Sequence, residues 1–378
     1  MVGIKKSLDI HQKLTILSQD SRYDLACACG TKDSEHRRRS KQGTWIYPVA
    51  LPQGGTSYLF KTLLSNECKN DCKYCPLRVT QDTRRCTLEP GELVRAFLAY
   101  IRAGKVSGLF LSSGVLGNPD VTMSRINAVA KILRKNRFRG YMHLKVIPGA
   151  SAAAIRESLA LANAVSLNIE TAGEENFRTL SKSKNYFKDI IQPLHLISRL
   201  TQRGAPYAGV KQTTQFVVGA ARETDKEIVS HSWNLYRNLK LHRIYFSAYQ
   251  RGRGDPHLAG EQSGKVNSDI LTREHRLYQV DWLIRKYGFS AKEIQFEHDG
   301  NLSLTLDPKE VWAKAHPEYF PVNVNRAPKY TLLRVPGLGA LSVERILQLQ
   351  KYGEKISSLE DLGRVGKRLH KAAQYITF

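Results

Sequence analysis

The chain has 378 residues, of which 42% are hydrophobic, and this proportion excludes a disordered protein. No apolar run reaches the roughly 18 residues of a membrane helix, and the start MVGIKKSLDIHQK lacks the apolar stretch of a signal peptide. We therefore expect a cytoplasmic protein without a membrane partner. Lys and Arg outnumber Asp and Glu by 58 to 34, a formal charge of +24, which predicts a polyanionic partner, with nucleic acid first.

The sequence pattern of the first two thirds of the chain predicts an α/β domain. Residues 1–56 are expected to be an irregular N-terminal extension with one short helix around Ile10–Leu17. Between residues 57 and 255, six short apolar runs alternate with segments of helical period. Thr224 and Glu227, for example, have the spacing of a capping box at the start of a helix. Strands that alternate with helices predict a parallel sheet, wound into a barrel or an open twisted sheet.

The chain changes character after the sixth predicted strand. Residues 256–325 are expected to form a linker with an accessory helix at about 273–286. Residues 326–378 are helical in pattern and carry 10 Lys and Arg against 4 Asp and Glu. We predict a separate, basic, all-α domain there.

The segment LLRVPGLGALSVERIL (332–347) resembles the helix-hairpin-helix module, which binds a DNA phosphate. Two glycines in a tight turn let the backbone approach a ligand, and the N–H groups at the next helix start form an anion site. A plain helical pair joined by a Pro-Gly turn is the alternative. A second, degenerate hairpin is expected at 364–367. The predicted DNA-binding residues are Arg334, Gly337, Gly339, Arg345 and Lys367.

Three of the six cysteines lie within the stretch NECKNDCKYCP (66–76). With the spacing C-x3-C-x2-C, a polar loop can fold Cys68, Cys72 and Cys75 around one small object. One interpretation is a zinc site whose fourth ligand is Cys86 or His36, and another is three unrelated core thiols. The third is a 4Fe–4S cluster, in which three thiolates leave one iron open to a substrate or cosubstrate.

The cysteine stretch resembles the signature of the radical S-adenosylmethionine (SAM) enzymes, C-x3-C-x2-C with an aromatic residue before the last cysteine, here Tyr74. The resemblance covers roughly residues 57–255 and implies a partial (βα)6 barrel that holds a 4Fe–4S cluster at Cys68, Cys72 and Cys75. It further implies that SAM chelates the open iron and is cleaved to a 5′-deoxyadenosyl radical. An electron donor such as flavodoxin or ferredoxin is then required.

The same resemblance implies a set of residues around SAM. Ser112, Ser113 and Gly114 stand where the family commonly has Gly-Gly-Glu, so the acidic residue that receives the SAM amino group is missing. Glu223 follows a glycine in a turn that resembles the family's turn near the adenosyl group. The implied cofactor-binding residues are Tyr74, Ser112, Ser113, Gly114, Ser166, Asn168, Glu170, Gly219 and Glu223.

Nearly the whole chain also resembles a narrower group of radical SAM proteins, which are proposed to modify or repair DNA and are linked to uracil-DNA glycosylases. This resemblance implies DNA as the substrate and a uracil-DNA-glycosylase-like partner, but assigns no reaction. A radical SAM enzyme that modifies RNA is the first alternative. A non-catalytic, zinc-containing protein that binds nucleic acid is the second.

The remaining cysteines leave three interpretations open. Cys27, Cys29 and Cys86 are ordinary thiols, or ligands of an auxiliary metal, or one of them donates a hydrogen atom to a substrate radical, for which Cys86 is the better candidate. The basic run 37–39 is a further candidate for nucleic-acid contact. His143 and Lys145 end the third strand and are expected either to contact substrate or to pair inside the barrel.

Overall fold

The structure is a computed structural model that describes residues 8–21, 45–51, 54–264 and 267–378. The chain divides into two compact units. Unit 1 comprises the described residues of Met1–Glu223 and Asn234–Leu271, and unit 2 comprises those of Thr224–Trp233 and Thr272–Phe378. Among the described residues, no helix has both the length and the apolarity needed to cross a membrane.

Unit 1 is built on a seven-stranded sheet that curls into a half-barrel. The strands follow one another across the sheet in chain order, and all neighbouring pairs are parallel except the first. The predicted α/β fold with six alternating strands is therefore confirmed. The strands are β1 (Ile46–Ala50), β2 (Thr56–Leu63), β3 (Gly108–Ser112), β4 (Tyr141–Lys145), β5 (Ala164–Ser166), β6 (Lys211–Val218) and β7 (Arg243–Ala248).

Strand β1 was not predicted, because the segment before residue 57 was expected to be irregular. Pro48 lies in the middle of β1, opposite Tyr58 of the antiparallel β2. A proline argues against a strand in a sequence pattern, since it cannot donate to a neighbour. An edge strand tolerates it because one of its sides needs no partner, and β1 is the first strand of the sheet.

Helices connect the strands and cover one face of the sheet. Side chains alternate between faces, so Leu109 and Leu111 of β3, and Met142 and Leu144 of β4, are fully buried. Phe110 and His143, one step along, point to the opposite, concave face. The helices that contain residues of unit 1 are α1 (Ile10–Asp20), α2 (Pro90–Arg102), α3 (Pro119–Lys135), α4 (Ala152–Leu161), α5 (Glu174–Leu180), α6 (Gln192–Thr201), α7 (Asp225–Asn238), α8 (Ala259–Gln262) and α9 (Asn267–Lys286).

Unit 2 is mostly helical. Its further helices are α10 (Pro308–Ala315), α11 (Lys329–Arg334), α12 (Ala340–Tyr352) and α13 (Lys367–Ala372). The predicted capping box is confirmed, since Thr224 and Glu227 exchange hydrogen bonds between side chains and backbone N–H groups. The all-α prediction is wrong in one respect, because β8 (Val322–Asn323) and β9 (Ile376–Thr377) pair in parallel. This pair of two-residue strands is too short to leave a pattern in the sequence.

Candidate functional site

The cysteine stretch leaves the sheet directly after β2. We call residues 66–76 the cluster loop. Just before it, the N–H of Leu64 donates to the carbonyl of Ser112 at 2.8 Å, and the N–H of Gly114 donates to Ser65 at 2.7 Å. The cluster loop therefore begins beside the end of β3. The carboxyl ends of parallel strands meet at this edge, where barrels of this type bind their ligands.

Buried side chains hold the start of the cluster loop. Asn66 is fully buried, and its amide oxygen accepts from the N–H of Cys86 at 2.7 Å while its nitrogen donates to Asp20 of α1 at 2.7 Å. The Arg85 guanidinium donates to four carbonyl oxygens, including those of Asn66 at 2.5 Å and Leu77 at 3.0 Å. The backbone before and after the cysteines is thereby bound to one arginine.

Hydrogen bonds of Asp71 fix the middle of the cluster loop to the chain after α5. The Asp71 carboxylate accepts from the N–H groups of Lys182 and Ser183 and from the hydroxyls of Ser181 and Ser183, at 2.6–3.2 Å. Burial alone would raise the pKa of Asp71, but these hydrogen bonds outweigh it and lower the pKa to about 2. These hydrogen bonds place the neighbouring Lys184 close to the thiols.

Cys68, Cys72 and Cys75 line a single cavity of unit 1, which we call the cofactor cavity. Burial raises the pKa of the Cys72 and Cys75 thiols, and negative charge on Cys72 and Cys68 raises that of Cys75 further. The sulfurs are thus close enough to interact electrostatically. Lys184, 9% exposed, hydrogen-bonds Cys72; burial opposes its charge, but the Cys72 thiolate and the Glu170 carboxylate raise its pKa overall. One buried cation therefore offsets charge at the thiols.

Six of the nine predicted cofactor residues line the same cavity: Tyr74, Ser112, Ser113, Gly114, Asn168 and Glu170. A Cβ at position 114 would overlap the carbonyl oxygen of Glu67. Only glycine allows the end of β3 to approach the cluster loop so closely.

Glu170 holds an uncommon backbone conformation. Its φ is +70°, a region that costs a non-glycine residue energy and that is enriched at functional sites. The carboxylate is 5% exposed and accepts from the Asn168 amide at 3.3 Å. It also accepts from the Tyr74 hydroxyl, whose pKa is raised by burial and by this carboxylate. The sheet is thereby connected to the aromatic residue of the cluster loop.

The other predicted site residues of unit 1 lie elsewhere. Ser166 is on the concave face, where its hydroxyl is 2.9 Å from Nε2 of His143. Glu223 accepts from the N–H of Gly219 at 2.7 Å and from Thr171 at 3.2 Å, so it shapes the turn after β6. Neither Gly219 nor Glu223 is among the described residues that line the cofactor cavity.

The Cys86 thiol faces α1 rather than the cavity. Its sulfur is 4.0 Å from the carbonyl oxygen of Lys13, and burial followed by the charge of Asp20 raises its pKa to about 11. The role of Cys86 as a hydrogen-atom donor stays a prediction. The predictions for Cys27, Cys29, His36 and 37–39 lie outside the described residues.

Several residues of the cofactor cavity were not among the predicted site residues. Gln215 of β6, Ser247 and Tyr249 at the end of β7, and Lys184 contribute to its wall. Strand-end position could have indicated the first three. No sequence pattern distinguishes Lys184 from the nearby Lys182.

The cavity fits a 4Fe–4S cluster with SAM in the chemistry of its donors. Three thiols on one loop face a space whose described wall includes the buried ammonium of Lys184, carboxylates, amides and three serines. Thiolates are the usual ligands of such clusters. Within the described part of the chain, no three Cys, His, Asp or Glu side chains are arranged to hold a single metal ion.

Unit 2 contains the second candidate site, at residues 335–339, which we call the hairpin turn. It connects α11 to α12, and Gly339 precedes α12 without a side-chain cap. Gly337 has φ +88°, and a Cβ there would overlap the carbonyl oxygen of Arg368 in α13. The closest approach at Gly337 is therefore to the protein's own backbone, not to a ligand as predicted.

Buried and exposed cations surround the hairpin turn. Lys309, 8% exposed, donates to the carbonyl of Leu338 at 2.7 Å, and burial lowers its pKa to about 7. Arg334 is bound to Glu293 at 2.5 Å and lies over the ring of Phe289. Lys367 lines the same cleft as Gly337 and Gly339, and Arg345 is exposed on α12. The predicted second hairpin at 364–367 lies between a 3-10 helix at Glu360–Leu362 and α13.

Comparison with known proteins gives matches that include the cluster loop and the half-barrel sheet. The family model described as the Radical SAM superfamily matches residues 62–231. No curated protein matches the chain. Similar solved structures include the FeFe-hydrogenase maturase HydG from Carboxydothermus hydrogenoformans (18% identity, 59% of this chain and 51% of that chain, TM-score 0.45) and methylornithine synthase PylB (14%, 60% and 63%, 0.45).

A third similar structure is the cobalamin-dependent S-adenosylmethionine radical enzyme OxsB, at 12% identity, 78% of this chain, 45% of that chain and a TM-score of 0.36. This chain thus spans less than two thirds of each of these proteins. The family match contains the three cysteines of the cluster loop and β3 to β6 of the half-barrel. Residues 62–231 therefore form a radical SAM superfamily domain.

Proposed function

We propose that the chain is a radical SAM iron–sulfur enzyme that modifies or repairs DNA. The observation that carries the chemistry is the cofactor cavity, where three cysteines of one loop meet polar groups from the ends of β3 and the segment after β5. The cluster and SAM would supply a 5′-deoxyadenosyl radical when bound.

The residues of the cavity have separate tasks in this proposal. Cys68, Cys72 and Cys75 hold the cluster, and the buried Lys184 offsets the negative charge of the thiolates. Glu170 and Asn168 are preorganised by their mutual hydrogen bond and offer acceptors and donors to SAM. Glu170 also replaces, in charge, the acidic residue that the end of β3 lacks.

DNA is proposed as the substrate because of unit 2 and the overall charge. The N–H groups at the start of α12 have no side-chain cap, and such groups bind phosphate. Arg364, Lys367 and Arg368 line the same cleft. Together with the net charge of +24, this arrangement supports a surface that binds the DNA backbone without reading its sequence.

The reaction is tested by anaerobic reconstitution of the full chain with iron and sulfide. The protein is then incubated with SAM, a reductant and either duplex DNA, single-stranded DNA or structured RNA. Mass analysis of nucleosides and of 5′-deoxyadenosine is the measurement. We expect 5′-deoxyadenosine and an altered deoxynucleoside. An altered ribonucleoside would favour the RNA enzyme instead, and a zinc-containing protein that takes up no iron would contradict both.

DNA binding is tested at Gly339, where a side chain has room, since a Cβ would meet only the hydroxyl of Tyr287 at 3.8 Å. Gly339→Ser and Gly339→Asp both provide good N-caps, so the start of α12 is retained in each. Only Asp adds negative charge where a phosphate would sit. We expect duplex affinity at low salt to fall by roughly 10-fold for Asp and less for Ser. Equal affinity in all three proteins would contradict a phosphate site there.

A further inference from the structure

Unit 2 contains a cleft beside the hairpin turn, with a volume of about 950 Å³. We call it the hairpin cleft. Its described wall comes from three places, which are the part of α9 that belongs to unit 2, the hairpin turn with the first turn of α12, and residues 362–371. A phosphate bound at the hairpin turn would therefore lie in the same cleft as side chains of α9.

Helix α9 turns one side towards the hairpin cleft. The wall residues His275, Gln279 and Trp282 follow one another at intervals of four and three positions, which places them on one side of a helix. Trp282 is 44% exposed, although tryptophan is on average a highly buried residue. The Arg285 guanidinium lies 5.9 Å from its ring centre and is itself bound to Asp281 at 2.6 Å. The indole ring thus keeps a large exposed surface.

The first turn of α12 adds a second exposed apolar side chain to the same wall. Leu341 is 83% exposed, whereas Val343 and Ile346 of the same helix are fully buried. Leu341 and Trp282 both line the hairpin cleft. Exposed apolar side chains that gather in one cleft indicate an interaction site.

The charges of the hairpin cleft indicate which kind of ligand it suits. Arg364, Lys367 and Arg368 line the cleft and are exposed, and none of the three forms an ion pair with a described residue. Asp307 is the one carboxylate among the described wall residues, and Lys371 lies 3.5 Å from it. The unpaired charge of the wall is therefore positive, which is complementary to an anionic ligand.

We propose that the hairpin cleft binds a single-stranded segment of DNA, with one base stacked on Trp282 and the adjoining phosphates near Arg364, Lys367 and Arg368. The choice of DNA rests on the proposed function. An aromatic side chain beside cations binds single strands without reading their sequence, since every base has a flat face. A continuous duplex would not use Trp282, because its bases are stacked on one another. A preference for unpaired nucleotides suits chemistry on a base that must leave the duplex.

The binding test uses the anaerobically reconstituted holoenzyme with SAM and no reductant. Fluorescence anisotropy compares a labelled single-stranded oligonucleotide with the matching duplex. Trp282→Leu removes the flat ring and keeps an apolar side chain, and Trp282→Phe keeps a ring. We expect Trp282→Leu to weaken the single strand by roughly 10-fold, the loss typical of one stacked base, and Trp282→Phe to weaken it less. Duplex affinity should stay unchanged in both variants.

The ratio of the two affinities is the readout, because an unfolded fraction of a variant would lower both affinities by the same factor. The matched control is Tyr352→Leu, since Tyr352 is an aromatic residue of α12 that is 73% exposed and is not among the described residues of the wall. Its ratio should equal that of the unchanged protein. An unchanged ratio in Trp282→Leu, or an equal change in Tyr352→Leu, would overturn the proposal.

The proposed function and the stacking site can fail separately. Single-strand binding that depends on Trp282, with no altered DNA nucleoside, refutes DNA modification only. Altered DNA nucleosides with no effect of Trp282→Leu on the ratio refute the stacking site only. A single-stranded RNA of the same sequence completes the comparison. If the RNA binds more tightly than the DNA and depends on Trp282, the choice of DNA is overturned and the cleft is assigned to RNA.

Discussion

The cluster loop and the hairpin turn present their binding groups by opposite means. In the cluster loop the ligands are side chains, and other side chains, above all Arg85 and Asp71, hold the backbone in place. In the hairpin turn the groups proposed to bind phosphate are backbone N–H groups. They are positioned by close backbone packing at Gly337 and by the bond from Lys309 to Leu338. Chemistry carried by side chains is visible in a sequence, whereas chemistry carried by the backbone depends on packing from distant segments.

The largest expected effect distinguishes thiols that bind a cluster from thiols that do not. Cys72→Ala removes a cavity thiol, and Cys86→Ala removes one that faces α1. We expect the first to lose most of its iron and at least roughly 100-fold of SAM cleavage, because a cluster held by two thiolates is poorly retained. Cys86→Ala is expected to keep its iron. Iron content after anaerobic desalting is the measurement, and equal iron in both variants would contradict the assignment of the ligands.

The next effect concerns the side-chain support of the cluster loop. Arg85→Met removes four charged hydrogen bonds to carbonyl groups, and we expect the free energy of unfolding to fall by about 2–4 kcal/mol. Arg84→Met is the control, because Arg84 is the neighbouring arginine and is exposed. Urea denaturation of the two variants gives the comparison. A loss of the same size in both would show that the loop does not depend on this support.

A pH effect is expected at the hairpin turn. Burial lowers the pKa of Lys309 to about 7 in the folded chain, while an unfolded lysine has a pKa of about 10.4. Between these values the unfolded state binds more protons, so stability from this group rises with pH from about 7 to about 10. Lys309→Met should remove that rise. Denaturation midpoints of both proteins across this window are the measurement, and identical slopes would contradict the expectation.

The smallest effect separates two predicted DNA-binding arginines. Arg334 is bound to Glu293 and packed on aromatic rings, whereas Arg345 is exposed. Arg345→Met should weaken duplex binding by a few-fold and lower the salt slope by about 0.9, the value for one phosphate contact. Arg334→Met should instead reduce stability and leave the salt slope unchanged. A reduced slope for Arg334→Met would show that its ion pair opens to bind DNA.

The α/β fold could be predicted from the sequence, and so could the site residues that belong to a recognisable spacing of side chains. Short apolar runs that alternate with segments of helical period, and the Thr224–Glu227 spacing, depend on local rules that the structure obeys. The spacing of the three cysteines, with Tyr74 before the last one, is also a local pattern that can be read from the sequence. Six predicted residues meet in the cofactor cavity because each lies at or just after the carboxyl end of a strand or belongs to the cluster loop.

What was missed depends on tertiary contacts. Lys184 reaches the thiols because Asp71 accepts hydrogen bonds from the segment after α5, which is more than 100 positions away in the chain. Gly337 resembles a glycine that faces a ligand, and only the position of α13 shows that its neighbour is Arg368. Strand β1 was missed because it contains Pro48. A strand accepts a proline at the edge of a sheet, and the strand order that places β1 at the edge cannot be read from the sequence.

A second cavity of unit 1, the interior cavity on the concave face of the half-barrel, shares Lys145, Asn168 and Gln215 with the cofactor cavity. This sharing has a thermodynamic consequence. A ligand that reorients any of them in one cavity changes the surroundings of a ligand in the other. Linkage then requires the effect to be reciprocal: the factor by which an interior ligand changes the affinity for SAM equals the factor by which SAM changes the affinity for that ligand. Occupancy of the interior cavity can thus be measured from the cofactor alone.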